Sequence, residues 1–503
     1  MAEECERRLR MTIDNIAKEL RYDIHEVSVR EFNSGGANYS SRLYHITLSA
    51  PKHEDLKLFA KVAATVEEVR KMFPIELFDT EIYMYTNVLK RYRELENENG
   101  IEKQYKLTTS KFYGFSKEYL YETLVMEDMV AKGFKTYDRF KSIDWQHASQ
   151  AVFELAKFHS LSIAVRDKNP EEFDNLTRNF RVLFDGDQFR NFFNTAYKTS
   201  IPAVKEEHRQ RLADFIEKQD LDFYNRPIRY PVLTHGDYRP SNLMYKVYED
   251  GKLDIVPLDY QGCQVSSPLR DLMYFIFSGS DGAFRARYYR QLLDFYYTEL
   301  SKALRRLHVD PEKIYSREDF EYELELIQPY GLIMGVMLLP VITVNEESAP
   351  DMTSSNFNDF AITPNEICAQ RLNEVVEDFI ELGTGNPITD LLYFIFNGSD
   401  AEFRQRHYHQ LLEYYYIEIS DALRRYGLQP NNIYSKADFE HDLKEVLPYG
   451  LLIITTTLPI VTIDAENILK VEDDLGYLNA KTSPLFAERL NDIVSDYIKM
   501  GIL

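Results

Sequence analysis

The stretch His235-Gly-Asp237-Tyr-Arg-Pro-Ser-Asn242, followed 17 residues after Asn242 by Asp259 in IVPLDYQ, gathers the residue types best suited to chemistry. Phosphoryl transfer needs one carboxylate to hold an acceptor hydroxyl in line, and an amide plus a second carboxylate to hold the metal that bridges the phosphates. Asp237, Asn242 and Asp259 supply these groups in that order. Turn capping accounts for each residue singly; it does not account for the ordered set with an apolar strand ending at Asp259. His235 reads as a brace for the loop, and His159 in AKFHSLS as packed core.

The same chemistry requires a cradle for nucleotide phosphates, a strand lysine and a helix glutamate to hold that lysine. Gly35, Gly36, Asn38 and Ser40 lie between two β-rich runs, where glycine lets backbone N–H groups approach phosphate, although an ordinary hairpin turn has the same composition. Lys61 in LFAKVA alternates with apolar neighbours, which sends one cation to the opposite face of a strand. Glu81 in FDTEIYMYTNVL falls on the next helix, and a Lys61 to Glu81 ion pair is the expectation. LVMEDM, with Glu127 and Met129, reads as a connection between two lobes whose backbone faces an adenine edge.

HGDYRPSNLMY, then LDYQ, then SPLRDLMYFIF together resemble the ecdysteroid kinase-like family, relatives of choline kinases and aminoglycoside phosphotransferases within the protein-kinase-like fold. The resemblance spans residues 1 to 383 and is most specific over 235 to 278. It implies an enzyme dependent on ATP and Mg2+. It further implies Asp237 as catalytic base or hydroxyl-orienting carboxylate, Asn242 and Asp259 as Mg2+ ligands, and Gly35, Gly36, Asn38, Ser40, Lys61, Glu81, Glu127 and Met129 at the nucleotide. Family members more often show Leu-Trp-Val-Asn where this chain has Tyr238-Arg239-Pro240-Ser241. That departure bears on the acceptor rather than on the reaction.

Elements that must position these groups follow from periodicity. From Val27 to about Val130, the runs VSVREF, SRLYHITL, LKLFAKVA and YETLVMED surround one helical stretch, Phe73 to Tyr92. From Asp144 helices dominate, apart from a β-like island around VLTHGDYRPSNLMYKV and KLDIVPLDYQ. The expected fold is α+β and bilobal, with a β-rich N-terminal lobe over residues 1–130 and a mainly helical C-terminal lobe over residues 131–383. PLRDLMYFIFSGSDGAFRARYYRQLL from Pro268 recurs 119 residues on as PITDLLYFIFNGSDAEFRQRHYHQLL from Pro387. Such register over more than a hundred residues reads as duplication of one segment. Residues 384–503 form that second copy, joined at TGNP and without a second HGDxxxxN, so Asp271 and its counterpart Asp390 read as structural.

The 503 residues carry a net charge of −22, which repels phosphate backbones and excludes a general nucleic-acid role. Cys5, Cys263 and Cys368 are widely spaced, which argues against a disulfide framework or a zinc site and for a reducing compartment, the cytoplasm. Two apolar runs, 330–344 and 449–463, are too short to span a bilayer and carry prolines, so the expectation is buried helices ending near Pro340 and Pro459, with no membrane role. No obligatory protein partner is evident, and a small-molecule alcohol is the expected substrate. A sterol-like acceptor, a cationic acceptor and a catalytically weak nucleotide-binding protein are the competing readings.

Overall fold

The structure, a computed structural model, describes residues 2–22, 25–32, 41–51, 53–64, 77–180, 197–218, 228–345, 362–382, 387–425, 429–462 and 484–502. The chain divides into two compact units, Met1–Asp378 and Phe379–Leu503. The division falls inside a helix, ahead of the Gly-Pro junction.

The first unit opens with α1 (Ala2–Glu19), then β1 (Glu26–Phe32), β2 (Ser41–Ser49) and β3 (Leu56–Ala63). After α2 (Leu77–Tyr83), a π turn (Met84–Val88) and α3 (Leu89–Glu98) come β4 (Phe112–Ser116) and β5 (Thr123–Glu127). The five strands form one antiparallel sheet in the order β1-β2-β3-β5-β4. α1 lies on one face, where Cys5, Leu9, Ile13 and Ile16 pack with Tyr44, Ile46, Leu58, Ala60 and Val62. Side chains alternate along a strand, so Lys61, between Ala60 and Val62, is driven to the other face. β4 was not expected from sequence: FYGFS is short and interrupted by glycine, so its alternation is weak.

The C-terminal lobe is built around α4 (Trp145–Lys168), which Asp144 caps through the backbone N–H of His147. Nearly every residue of α4 from Ala148 to Val165 is buried, as in a helix enclosed on all sides. It is followed by α5 (Pro170–Thr177) and α6 (Glu206–Lys218). Two small antiparallel sheets come next. β6 (Lys135–Thr136), β8 (Leu243–Val247) and β9 (Leu253–Pro257) form one, and β7 (Val232–Thr234) with β10 (Gln264–Ser266) forms the other. The unit continues with α7 (Pro268–Gly279), α8 (Gly282–Arg306), α9 (Pro311–Ile314), α10 (Arg317–Thr343) and most of α11 (Glu366–Leu382).

α10 contains Pro329 and Pro340 and ends at Thr343, three residues past Pro340, a buried helix as expected. Proline removes one backbone donor and so frees the carbonyl of Val336. The Ser200 hydroxyl donates to that carbonyl at 2.8 Å, which restores the missing bond. By length and composition α10 is long and apolar enough to cross a membrane, and 72% of its most apolar window is buried within the protein.

The second unit holds α12 (Pro387–Gly398), α13 (Ala401–Arg425), α14 (Pro430–Ile433), α15 (Lys436–Val461) and α16 (Pro484–Lys499). α15 passes Pro459, as α10 passes Pro340. Its core joins Leu392, Ile395, Phe396, Phe439, Ile493 and Tyr497. Local devices recur between the units. Ser316 with Asp319 and Ser435 with Asp438 each form a capping box. Arg285 pairs with Asp378 in the first unit, and Arg404 with Asp496 at 2.8 Å in the second.

Candidate active site

Register alone brings the loop residues together. Leu243 pairs with Pro257, and the Leu258 N–H donates to the Asn242 carbonyl at 2.9 Å, so Asn242 stands beside the strand end that carries Asp259. Asp259 itself adopts φ +67°, a left-handed conformation that is uncommon and costly outside glycine. Gly236 has φ +78°, and a Cβ there would meet the Gly262 carbonyl oxygen at 1.8 Å. A Cβ on Gly262 would lie 3.2 Å from the His235 carbonyl. The two loops therefore touch backbone to backbone, and glycine is required at Gly236 on both counts.

The loop is pinned from α7. Asp271 accepts the backbone N–H of His235 at 2.6 Å and of Gly236 at 2.9 Å, and lies 3.1 Å from His159 Nε2. His235 Nε2 sits 3.1 Å from the Leu258 carbonyl, and burial pushes its imidazole pKa down, so it braces the loop in its neutral form. The Tyr238 hydroxyl donates to the Ala151 carbonyl of α4 at 2.7 Å.

Asp237 receives three donors. Tyr274 from α7 donates its hydroxyl to Oδ1 at 2.5 Å, Arg239 Nε donates to the same oxygen at 3.1 Å, and Asn242 Nδ2 donates to Oδ2 at 2.8 Å. A carboxylate has about four lone-pair sites, which leaves one for an acceptor hydroxyl. Burial and then the Asp237 charge push the Tyr274 phenol well above its ordinary range, so it stays a donor.

Lys61 and Glu81 meet as the sequence predicts, with Nζ 2.7 Å from Oε2. Lys61 Nζ also lies 2.6 Å from Asp259 Oδ1, across 198 residues of chain. Burial opposes ionisation of this cluster. It raises Glu81 overall, whereas at Asp259 the opposing pull of Lys61, then Arg239 and His235, wins and lowers the carboxyl. For Lys61, Asp259 and then Glu81 outweigh burial and raise the ammonium. The π turn follows Glu81 by one helical turn, and π turns of this kind are frequent beside functional groups.

Glu127 ends β5, its side chain paired with Lys132 at 2.7 Å. Met129 is buried with Phe134, Met244 and Val256 in an apolar cluster that Leu258 also touches. Gly35, Gly36, Asn38 and Ser40 lie outside the described residues. Sequence reasoning missed Tyr274 and Gly262, marked Arg239 only as part of a departure from the family pattern, and took Asp271 as structural without its hold on the loop. The available signal was the spacing of Asp271 and Tyr274 on one face of α7.

The family profile described as the ecdysteroid kinase-like family matches residues 35–309 and 371–428, together more than half of the chain. The chain belongs to that family. The two matched spans end at Val309 and Leu428, positions 119 residues apart. No curated protein matches the chain. Among solved structures, the ecdysteroid kinase-like chain is similar to a Plasmodium vivax ethanolamine kinase at 14% identity, covering 69% of this chain and 81% of that one with TM-score 0.36. A variant aminoglycoside 2′-phosphotransferase-IIIa in complex with GDP is similar at 11% identity, with coverage of 74% and 96% and TM-score 0.38. A choline/ethanolamine kinase family protein from Mesorhizobium loti matches at 10% identity, with coverage of 70% and 92% and TM-score 0.28.

Proposed function

We propose that this ecdysteroid kinase-like chain is a phosphotransferase that uses ATP and Mg2+ to phosphorylate a hydroxyl of a small neutral molecule, an ecdysteroid or related apolar alcohol. The observation that carries this reading is the meeting of Lys61 with Asp259 at 2.6 Å beside an Asp237 that retains one open lone-pair site. Lys61 receives nucleotide phosphates, Glu81 positions it, and Asp237 orients the acceptor hydroxyl and takes its proton. Glu127 and Met129 flank the adenine. Asn242 and Asp259 suit Mg2+: the Asn242 amide nitrogen is spent on Asp237, which leaves its side-chain oxygen as a ligand, and its backbone holds Leu258, the residue before Asp259. Two protein oxygens with phosphate and water oxygens form an ordinary Mg2+ environment. Such an ion would supply positive charge that offsets the phosphate oxygens. A cationic acceptor would meet the Arg239 guanidinium at Asp237, which favours a neutral alcohol. The three cysteines are buried and free, which supports a cytoplasmic setting.

The test is ADP release across a panel of neutral and cationic alcohols, combined with calorimetric titration of Mg·ATP. Asp237→Asn should lose turnover by about 100-fold or more while keeping nucleotide affinity, as expected for a group that acts on the acceptor proton. Asp259→Asn should lose both. Wild-type Mg·ATP affinity in both variants removes Asp259 from the metal site.

A further inference from the structure

Arg239 is the cation that this assignment of roles leaves over. It stands mid-loop between Asp237 and Asn242, with its side chain 15% exposed. Nε donates to Asp237 Oδ1 at 3.1 Å and Nη1 to Ser241 Oγ at 2.8 Å. These bonds use two of the five N–H donors of a guanidinium. The other three have no protein partner among the described residues. The unpaired terminal nitrogen of Arg239 is reached by solvent, so these donors are open to an incoming group.

Charge points to what that is. Burial works against the guanidinium, yet Asp237, with Asp259 beyond it, keeps it firmly charged. Lys61 is engaged by Glu81 and Asp259 on the nucleotide side. A phosphoryl group arriving at a hydroxyl held by Asp237 brings negative oxygens next to a carboxylate, and the repulsion grows as transfer proceeds. A cation preorganised at the arrival point opposes that growth, which is the form electrostatic catalysis takes.

We propose that Arg239 is a catalytic residue whose three remaining N–H donors contact the oxygens of the transferring phosphoryl group on the acceptor side. The proposal rests on the phosphotransferase reading above. In the step, the acceptor oxygen bonds to the γ-phosphorus as the P–O bond to the β-phosphate breaks. The hydroxyl proton passes to Asp237 and ADP leaves with the electron pair. Arg239 makes and breaks no covalent bond. Its planar fork spans two phosphoryl oxygens while Nε stays on Asp237, a geometry that one ammonium does not reproduce.

The full-length protein and its Arg239→Met and Arg239→Lys variants are titrated calorimetrically with Mg·ADP, and with Mg·ADP plus aluminium fluoride as a planar phosphoryl mimic. Arg239→Met should bind the fluoride complex at least about tenfold more weakly with Mg·ADP affinity unchanged, and Arg239→Lys should recover part of the loss. Where an alcohol gives turnover, kcat should fall with it at unchanged KM for ATP. Equal fluoride affinity in wild type and Arg239→Met overturns the role of Arg239 and leaves the phosphotransferase reading intact. Parallel loss of Mg·ADP and fluoride binding reduces Arg239 to a structural brace and also overturns the proposal. Absence of Mg·ADP binding by the wild type overturns both readings.

Discussion

Helices α7 and α12 share eight of their twelve residues, PLRDLMYFIFSG against PITDLLYFIFNG, and meet different surroundings. On α7, Tyr274 is 4% exposed and Phe275 is fully buried; on α12, their counterparts Tyr393 and Phe394 are 41% and 68% exposed. A Cβ on Gly279 would lie 2.5 Å from the ring of Pro240, whereas around Gly398 there is nothing within 4 Å. Both helices form because the local instructions are the same: proline at the first turn, an acidic residue after it, and an apolar stripe at helical spacing. The stripe of Asp271, Tyr274, Phe275 and Gly279 acquires chemistry on α7 because the loop from His235 to Asn242 lies on it. A helix sequence thus specifies a seat, and what the seat does depends on what occupies it.

The strongest way to break this comparison is to remove the paired carboxylates. Asp271→Ala leaves two backbone donors of the loop from His235 to Asn242 unpaired and lets Asp237 drift, so on the proposed function turnover should fall by about 100-fold or more. Asp390→Ala should change neither turnover nor melting temperature measurably, as is usual for exposed positions. Equal effects of the two would mean that the second segment serves the site. Next, Tyr274→Phe removes one charge-assisted bond to Asp237 and should cost roughly tenfold in turnover, with Mg·ATP affinity in titration unchanged. Tyr393→Phe should be silent in the same assay.

A smaller effect should appear in stability. Gly279→Ala forces a methyl into Pro240 and should cost about 1–3 kcal/mol by denaturant unfolding. Gly398→Ala has open space and should be neutral or stabilising by up to about 1 kcal/mol. The smallest expected change is in truncation. Residues 1 to 383 contain every side chain assigned to the chemistry, so a chain ending at Gly383 should keep full-length specific activity. An inactive or insoluble fragment would show that the second segment belongs to the enzyme.

Much of this architecture was legible because it is periodic. β1 and β2 alternate along most of their length, β3 and β5 read as short apolar runs, and Lys61 and Glu81 follow from the strand pattern and from the next helix. Asp237, Asn242 and Asp259 stand out in the sequence because their spacing is itself the motif, and the structure brings the Asn242 amide onto Asp237. What was hidden depends on approaches between elements that no local pattern records. Tyr274 reaches Asp237 from 37 residues away, and Ser200 rescues the helix at Pro340 from 136 residues before Val336. Arg239 was visible as a departure from the family sequence, but its engagement with Asp237 required the loop geometry.

The contact between Gly236 and Gly262 also bears on how such an enzyme changes its substrate over evolutionary time. Two stretches of main chain abut there, so the approach of the Asp237 loop to the segment after Asp259 is set by backbone and not by side chains. Of positions 238 to 241, Ser241 is the one open to experiment, since Tyr238 is bonded to α4, Arg239 holds Asp237 and Pro240 packs on Gly279. New acceptors can be tried by altering Ser241, while the backbone contact stays in place. Variation and catalysis are carried by adjacent residues of one loop and remain separable.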